Sequence, residues 1–171
     1  VGYRGYGDDG TITLDSKFEE NIENANDNKI PVGVYFYSQA TTEKEAIDEA
    51  DFIVKHLKKH KISLPVAIDV EYAFDSDGQH TGRLFDASLS AESQTKIINA
   101  FCDKISKSGY SPMVYSNSSI MTNRINTTLL NKNIFIWVAD YNKEITYDGE
   151  YDIWQYSKSS KISGVNSKYV D

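Results

Sequence analysis

Two apolar runs separated by one amphipathic helix constrain this chain more than any other feature. Val32 to Tyr37 (VGVYFY) and Leu64 to Val70 (LPVAIDV) are rich in β-branched and aromatic residues and read as buried strands. Between them, Thr42 with Glu45 makes a capping-box pattern, and Ala46, Ile47, Ala50, Ile53, Val54 and Leu57 follow at helical spacing. Strand, helix and strand in that order form a β-α-β unit. The helical pattern recurs on either side. Ser16 with Glu19 is expected to open a helix carrying Phe18, Ile22 and Ala25, and Ser90 one carrying Ile97, Ile98, Phe101 and Ile105 before Gly109. Met113 to Tyr115, Ile134 to Val138 and Ile153 to Tyr156 are further strand candidates, with only weak helical patterns between them. Such alternation implies an α/β fold with a mainly parallel sheet, either open and doubly wound or closed into a barrel. Periodicity does not choose between the two.

Composition narrows the function. The chain has 171 residues, enough for one core, and no linker or repeat divides it, so a single domain over 1–171 is expected. Lys and Arg number 18 against 25 Asp and Glu, a net charge of -7 with no basic block, which argues against nucleic acid as a partner. No apolar run approaches the roughly 20 residues of a membrane span. Cys102, the one cysteine, falls on the apolar side of its helix and reads as a buried, inert thiol.

The sharpest chemical signal is Asp69-Val70-Glu71 at the end of a buried strand. Side chains alternate along a strand, so the two acids share a face, with α-carbons about 6.5–7 Å apart. Sites in parallel α/β folds lie at the carboxyl ends of strands, where this pair falls. Glycoside hydrolysis needs a proton donor with a raised pKa and a second carboxylate that stays ionised, and two acids in unequal surroundings provide both. The competing reading is a solvated or hydrogen-bonded pair at a strand end.

The run Pro-Val-Ala-Ile-Asp-Val-Glu at 65–71 resembles the catalytic strand of the glycoside hydrolase family 25 lysozymes, or muramidases. Three other segments agree, in the family's order. Val1-Gly2-Tyr3-Arg4-Gly5 resembles its second strand, Gly33-Val34-Tyr35-Phe36-Tyr37-Ser38 its third, and Trp154-Gln155-Tyr156-Ser157 through Gly164 to Val170-Asp171 its closing segment. The resemblance implies an irregular (β/α) barrel and a substrate in peptidoglycan, cut at the β-1,4 bond between N-acetylmuramic acid and N-acetylglucosamine. It implies Glu71 as proton donor, Asp69 as the acid that stabilises positive charge or orients the N-acetyl group, and Asp171 as a third acid. It also implies a monomer acting outside the cell or in the cell wall, without metal or cofactor. One departure stands out: the family pattern opens with a Gly-Ile-Asp-Val-Ser strand and a helix, and this chain begins after both. The barrel is therefore expected to be incomplete at the N-terminus. Pairing along the edge of Val1 to Tyr3 would have to come from closing neighbours, another chain or a bound peptide.

Tyr37, Tyr115, Trp137 and Asp140, at or just past strand ends, are candidates for a sugar subsite, as is Gln155 in the closing segment; core or rim packing is the alternative. His56 and His60 stand four apart, a zinc spacing, but lack a nearby third ligand and read as a solvated helix end. Asp75-Ser76-Asp77-Gly78 lacks the acids of a calcium loop and reads as turn chemistry in a long loop, Tyr72 to Ser88, placed to shape a cleft. Two rivals to the enzyme reading remain: a carbohydrate-binding remnant that no longer turns over, and a chitinase of the other acid-rich barrel family. Against the latter, Ala67 occupies the place where that family's additional Asp would stand.

Overall fold

Strand and helix alternate along the chain to build one seven-stranded sheet, seen in a computed structural model that describes residues 1–170. The elements in order are β1 (Gly2–Arg4), β2 (Ile12–Leu14), α1 (Phe18–Asp27), β3 (Val34–Ser38), α2 (Glu43–Leu57), β4 (Val66–Val70), β5 (Ala73–Phe74), β6 (His80–Thr81) and α3 (Arg83–Asp86). They continue with α4 (Ala91–Lys107), β7 (Pro112–Asn117), α5 (Ser118–Arg124), a 3-10 turn (Thr127–Leu129), β8 (Phe135–Ala139) and β9 (Ile153–Gln155). The sheet order is β2-β1-β3-β4-β7-β8-β9, parallel throughout except for β2, which runs antiparallel to β1.

Helix starts follow local chemistry. Thr42 caps α2 by accepting from the Glu45 backbone N–H at 3.2 Å, and Ser90 caps α4 by accepting from that of Ser93 at 3.2 Å. The expected Ser16 cap of α1 does not form. Asp15 takes over the turn, its carboxylate accepting from the Lys17 N–H at 2.9 Å, and Lys17 becomes the first, side-chain-uncapped position. After α4, Gly109 turns the chain at φ 89°, a left-handed conformation that a side chain disfavours.

Alternation along each strand sorts the residues by face. Phe36, Ile68 and Val114 lie at one register and are fully buried under α2 and α4, which pack on each other. Ile53, Leu57, Ile98, Phe101 and Ile105 complete that core, each fully buried side chain contributing about 1.5–3 kcal/mol. The opposite face carries Tyr35, Tyr37, Asp69, Tyr115 and Trp137. The helical layer therefore accounts for stability, and the other face is available for chemistry.

The sheet is open: among the described residues its edge strands β2 and β9 do not pair with each other. The outer edge of β1 is paired within the described residues. The chain's own next segment does this, with β2 folding back so that Gly2 faces Leu14 and Arg4 faces Ile12. Gly2 permits this, because a Cβ there would run into the Thr13 carbonyl oxygen. Arg4 then anchors the hairpin: Nε reaches Glu49 of α2 at 2.6 Å, Nη1 the Gly10 carbonyl at 2.7 Å and Nη2 the Glu45 carbonyl at 3.0 Å.

His56 stays in the last turn of α2, partly exposed, but His60 departs from the solvated helix end expected of it. α2 stops at Leu57, so His60 lies beyond it, its side chain buried edge-on against Phe18. Its Nε2 meets the Glu19 carboxylate at 2.9 Å, and Lys59 meets the same group at 2.8 Å. That acid on α1 draws the two helices together. Cys102 is buried as read. The Asp75 carboxylate accepts from the N–H groups of Asp77 and Gln79, forming the turn between β5 and β6. No helix among the described residues is long and apolar enough to cross a membrane.

Candidate active site

One register of the sheet runs Tyr3, Tyr37, Asp69, Tyr115, Trp137 and Ile153 from strand to strand. All share a face because neighbouring parallel strands keep their pleats in phase. Glu71 stands two residues further on, just past the end of β4. Tyr35, Asp69, Glu71, Tyr115, Trp137 and Gln155 line a cavity of about 240 Å³, which adjoins an apolar groove of about 600 Å³ along β9 that shares Tyr35, Trp137 and Gln155. A hollow of about 590 Å³ between residues 132–136 and 149–152 is wider than the cavity but lies at the amino ends of β8 and β9, away from the paired acids. The smaller cavity is the one at the carboxyl ends of the strands, where parallel α/β folds carry their sites.

The two acids differ in setting. Asp69 is 7% exposed, and its Oδ1 has no hydrogen-bond partner. Burial, with the Glu71 charge adding to it, pushes its pKa up to about 8. Burial also raises Glu71, opposed by a hydrogen bond from the Asn117 side chain. Asn117 can donate there because its Oδ1 is already used, accepting from the Ile120 N–H at 3.0 Å to cap α5. Neither acid forms an ion pair among the described residues. The sequence predicts one raised acid beside one that stays ionised. Instead both are raised, Asp69 the one whose burial is not offset by a cation or a donor.

Aromatic groups surround the pair. Tyr115 and Trp137 meet edge to face with ring centroids 4.6 Å apart. Burial raises the phenols of Tyr37 and Tyr115, and the nearby charges of Asp69 and Glu71 raise them further. Trp137 Nε1 and Gln155 Oε1 are, like Asp69 Oδ1, buried and without a partner. Buried polar groups are ordinarily paired. A donor and two acceptors left open around one cavity make a set suited to a polar ligand.

Most of the residues singled out in the sequence meet here. Asp69, Glu71, Tyr115, Trp137 and Gln155 line the cavity, and Tyr37 lies beside the two acids. Asp140 does not join them. Its Oδ1 accepts from the Asn142 N–H at 3.2 Å and Nδ2 at 2.6 Å, and its Oδ2 from the Thr146 N–H at 2.7 Å and Oγ1 at 2.6 Å. A carboxylate with about four acceptor sites is thereby saturated, so Asp140 organises the loop after β8. These bonds, that from the Thr146 hydroxyl foremost, hold its pKa down at about 2. Asp171 lies outside the described residues. Tyr35 and Asn117 were missed in the sequence. Period-two alternation with Tyr37 would have found the first, and an N-cap Asn at a strand end the second. No group of three or more His, Cys, Asp or Glu among the described residues is arranged to hold a metal ion.

A model of the glycosyl hydrolases family 25 matches residues 8–165. Among solved structures, the modular autolysin LytC from Streptococcus pneumoniae, in complex with synthetic peptidoglycan ligand, is similar at 26% identity and TM-score 0.76, over 97% of this chain and 37% of that one. The spore cortex lytic enzyme SleM from Clostridium perfringens is 20% identical with TM-score 0.77, over 99% of this chain and 56% of that one. A family 25 glycosyl hydrolase from Bacillus anthracis is 21% identical with TM-score 0.70, over 97% and 70%. This chain thus spans little more than a third of the length of the autolysin. Comparison with curated protein sequences gave no match.

Proposed function

The chain belongs to the glycosyl hydrolases family 25, and from that membership we propose that its cleft hydrolyses peptidoglycan at the β-1,4 bond between N-acetylmuramic acid and N-acetylglucosamine. The observation carrying this reading is the pairing of Asp69 and Glu71 at the carboxyl end of β4, in a cavity with unpaired polar atoms and aromatic walls. Glu71, raised by burial and open to the cavity, gives its proton to the glycosidic oxygen as the bond to the anomeric carbon breaks and the electron pair leaves with that oxygen. Water then adds to the anomeric carbon and returns a proton to Glu71. Asp69 sits one strand register deeper. Positive charge developing on the sugar favours its ionised form, and an acetamido N–H is a fitting donor to Oδ1. Trp137 Nε1 and Gln155 Oε1 would bond sugar substituents, while Tyr37 and Tyr115 confine the ring. Asp171 is the proposed third acid. The reading places the enzyme at the cell wall, outside the cytoplasm, as a single catalytic domain and a monomer.

Glu71→Gln keeps the shape and removes the acid. Release of reducing ends from purified peptidoglycan should fall about 10²-fold or more, with little change in unfolding midpoint. Near-parent release would remove Glu71 from the role. The open edge between β2 and β9 supports a second reading, in which the chain binds glycan without cleaving it. Binding to purified cell wall with no reducing ends released by the parent protein would favour that alternative.

A further inference from the structure

The proton donor proposed above sits where the sheet no longer holds the backbone. On the β3 side the ladder ends at Val70, opposite Ser38, and on the β7 side at Asp69, opposite Tyr115. Glu71 is one residue past the first limit and two past the second. Side chains take over from the ladder there. Ser116 Oγ donates to the Val70 carbonyl at 2.7 Å, and Gln39 Nε2 donates to the Glu71 carbonyl at 2.8 Å. The same Gln39 nitrogen donates to the Ser38 carbonyl at 3.1 Å, so both amide hydrogens are used and the side chain is held at two points.

Gln39 is itself rigidly mounted. It is fully buried, and its carbonyl accepts from Arg83 Nη1 at 3.3 Å. The preceding Ser38 hydroxyl donates to Glu49 at 2.6 Å, the carboxylate that Arg4 also binds. Yet Gln39 Oε1 has no partner. A buried amide with one end unpaired works against stability, which leaves its geometry as the reason to look further. Among the described residues, the one carbonyl beyond its own neighbour that its side chain reaches is that of Glu71 itself. A displacement of about 1 Å at a reacting group can cost about 10²-fold in rate.

We propose that Gln39 is a positioning residue for Glu71: its amide clamps the Glu71 carbonyl beyond the end of the ladder and fixes the direction in which the acid enters the cavity. The proposal rests on the reading of Glu71 as proton donor. Gln39→Met retains volume and removes both donors. Measured on soluble glycan strands, kcat should fall about 10- to 100-fold while KM stays within about 2-fold. The alkaline limb of the rate profile should move to lower pH as the freed carboxyl meets more water. Gln39→Asn, which keeps the amide but withdraws it from the Glu71 carbonyl, should give the same split and serves if the Met variant does not fold. In a Glu71→Gln background, Gln39→Met should add nothing, since the group it positions is gone. Parent-like kcat in both Gln39 variants would overturn the clamp while leaving Glu71 in its role. An equal further loss in the Glu71→Gln background would overturn it too, assigning Gln39 to the general scaffold. Parent-like turnover by Glu71→Gln alone overturns both readings, and this outcome is distinct from the other two.

Discussion

Asp69 is held in the fold at a cost that depends on pH, and Asp69→Asn should expose it. The group titrates at about 8 in the folded protein against 3.8 ordinarily, because it is buried beside Glu71. A raised folded-state pKa means that the native protein holds the proton more tightly than the unfolded chain does. Its contribution to stability is therefore full below about pH 4, is lost progressively as pH rises, and levels off above about pH 8. The Asn side chain has nearly the same shape and does not titrate. The stability of the variant relative to the parent should start near zero at about pH 4 and widen by at most about 1.4 kcal/mol per pH unit. Because the carboxyl borders a cavity open to solvent, roughly half that slope is expected, or about 1–2 kcal/mol between about pH 5 and about pH 7. Urea denaturation of both proteins, followed by far-UV circular dichroism across this range, measures the difference directly. Peptidoglycan hydrolysis by the variant should fall in parallel, as a charge-stabilising group is lost. A gap that stays constant with pH, or that closes as pH rises, would refute the assignment of Asp69 as a buried acid without compensation.

The Arg4–Glu49 pair, 2.6 Å apart and nearly inaccessible, gives a second test. Arg4→Met should destabilise the fold by about 3–5 kcal/mol by leaving Glu49 buried with only the Ser38 hydroxyl as partner and no cation, and adding Glu49→Met should recover part of the loss in the same denaturation assay. Asp140→Ala should cost about 1–3 kcal/mol at neutral pH, because four donors lose their acceptor. Since the Asp140 pKa is depressed to about 2, its stabilisation is present above about pH 4 and is lost as pH falls toward about 2, so thermal midpoints of the two proteins should converge there.

The parallel half of the fold was legible because buried strands and amphipathic helices have different periods. β3, α2, β4 and α4 were visible from Val32–Tyr37, Thr42–Leu57, Leu64–Val70 and Ser90–Ile105. That Asp69 and Glu71 share a face at the end of β4 was legible for a related reason: period-two alternation along a buried strand puts residues two apart on one side. The β1–β2 hairpin was not, since Thr11 to Leu14 is too short to carry a period and its pairing depends on Gly2, Gly10 and the buried Arg4. Asp140 misled because a strand-end acid looks alike whether it faces a cleft or caps a turn. Asn142 two residues later, within reach of an Asp side chain in such a turn, was the sign of the second case. Gln39 offered no sign, because its role depends on where the β3–β4 ladder stops.

The chain has two tryptophans, and both stand at the β8–β9 end of the sheet. Trp137 lines the cavity, and the indole N–H of Trp154 donates to the Asp140 carbonyl at 2.8 Å. The large core under α2 and α4 contains no indole at all among its buried residues. Tryptophan fluorescence of this protein, excited selectively over its tyrosines, is therefore a local signal: it reports the polarity and occupancy of the cleft, and is nearly silent about the helical layer. A glycan entering the cavity should change the emission without any label. An unfolding curve read at the same wavelength follows the loss of the cleft, whereas one read by circular dichroism follows the helices, so disagreement between the two would reveal a state in which the helical layer survives and the site does not.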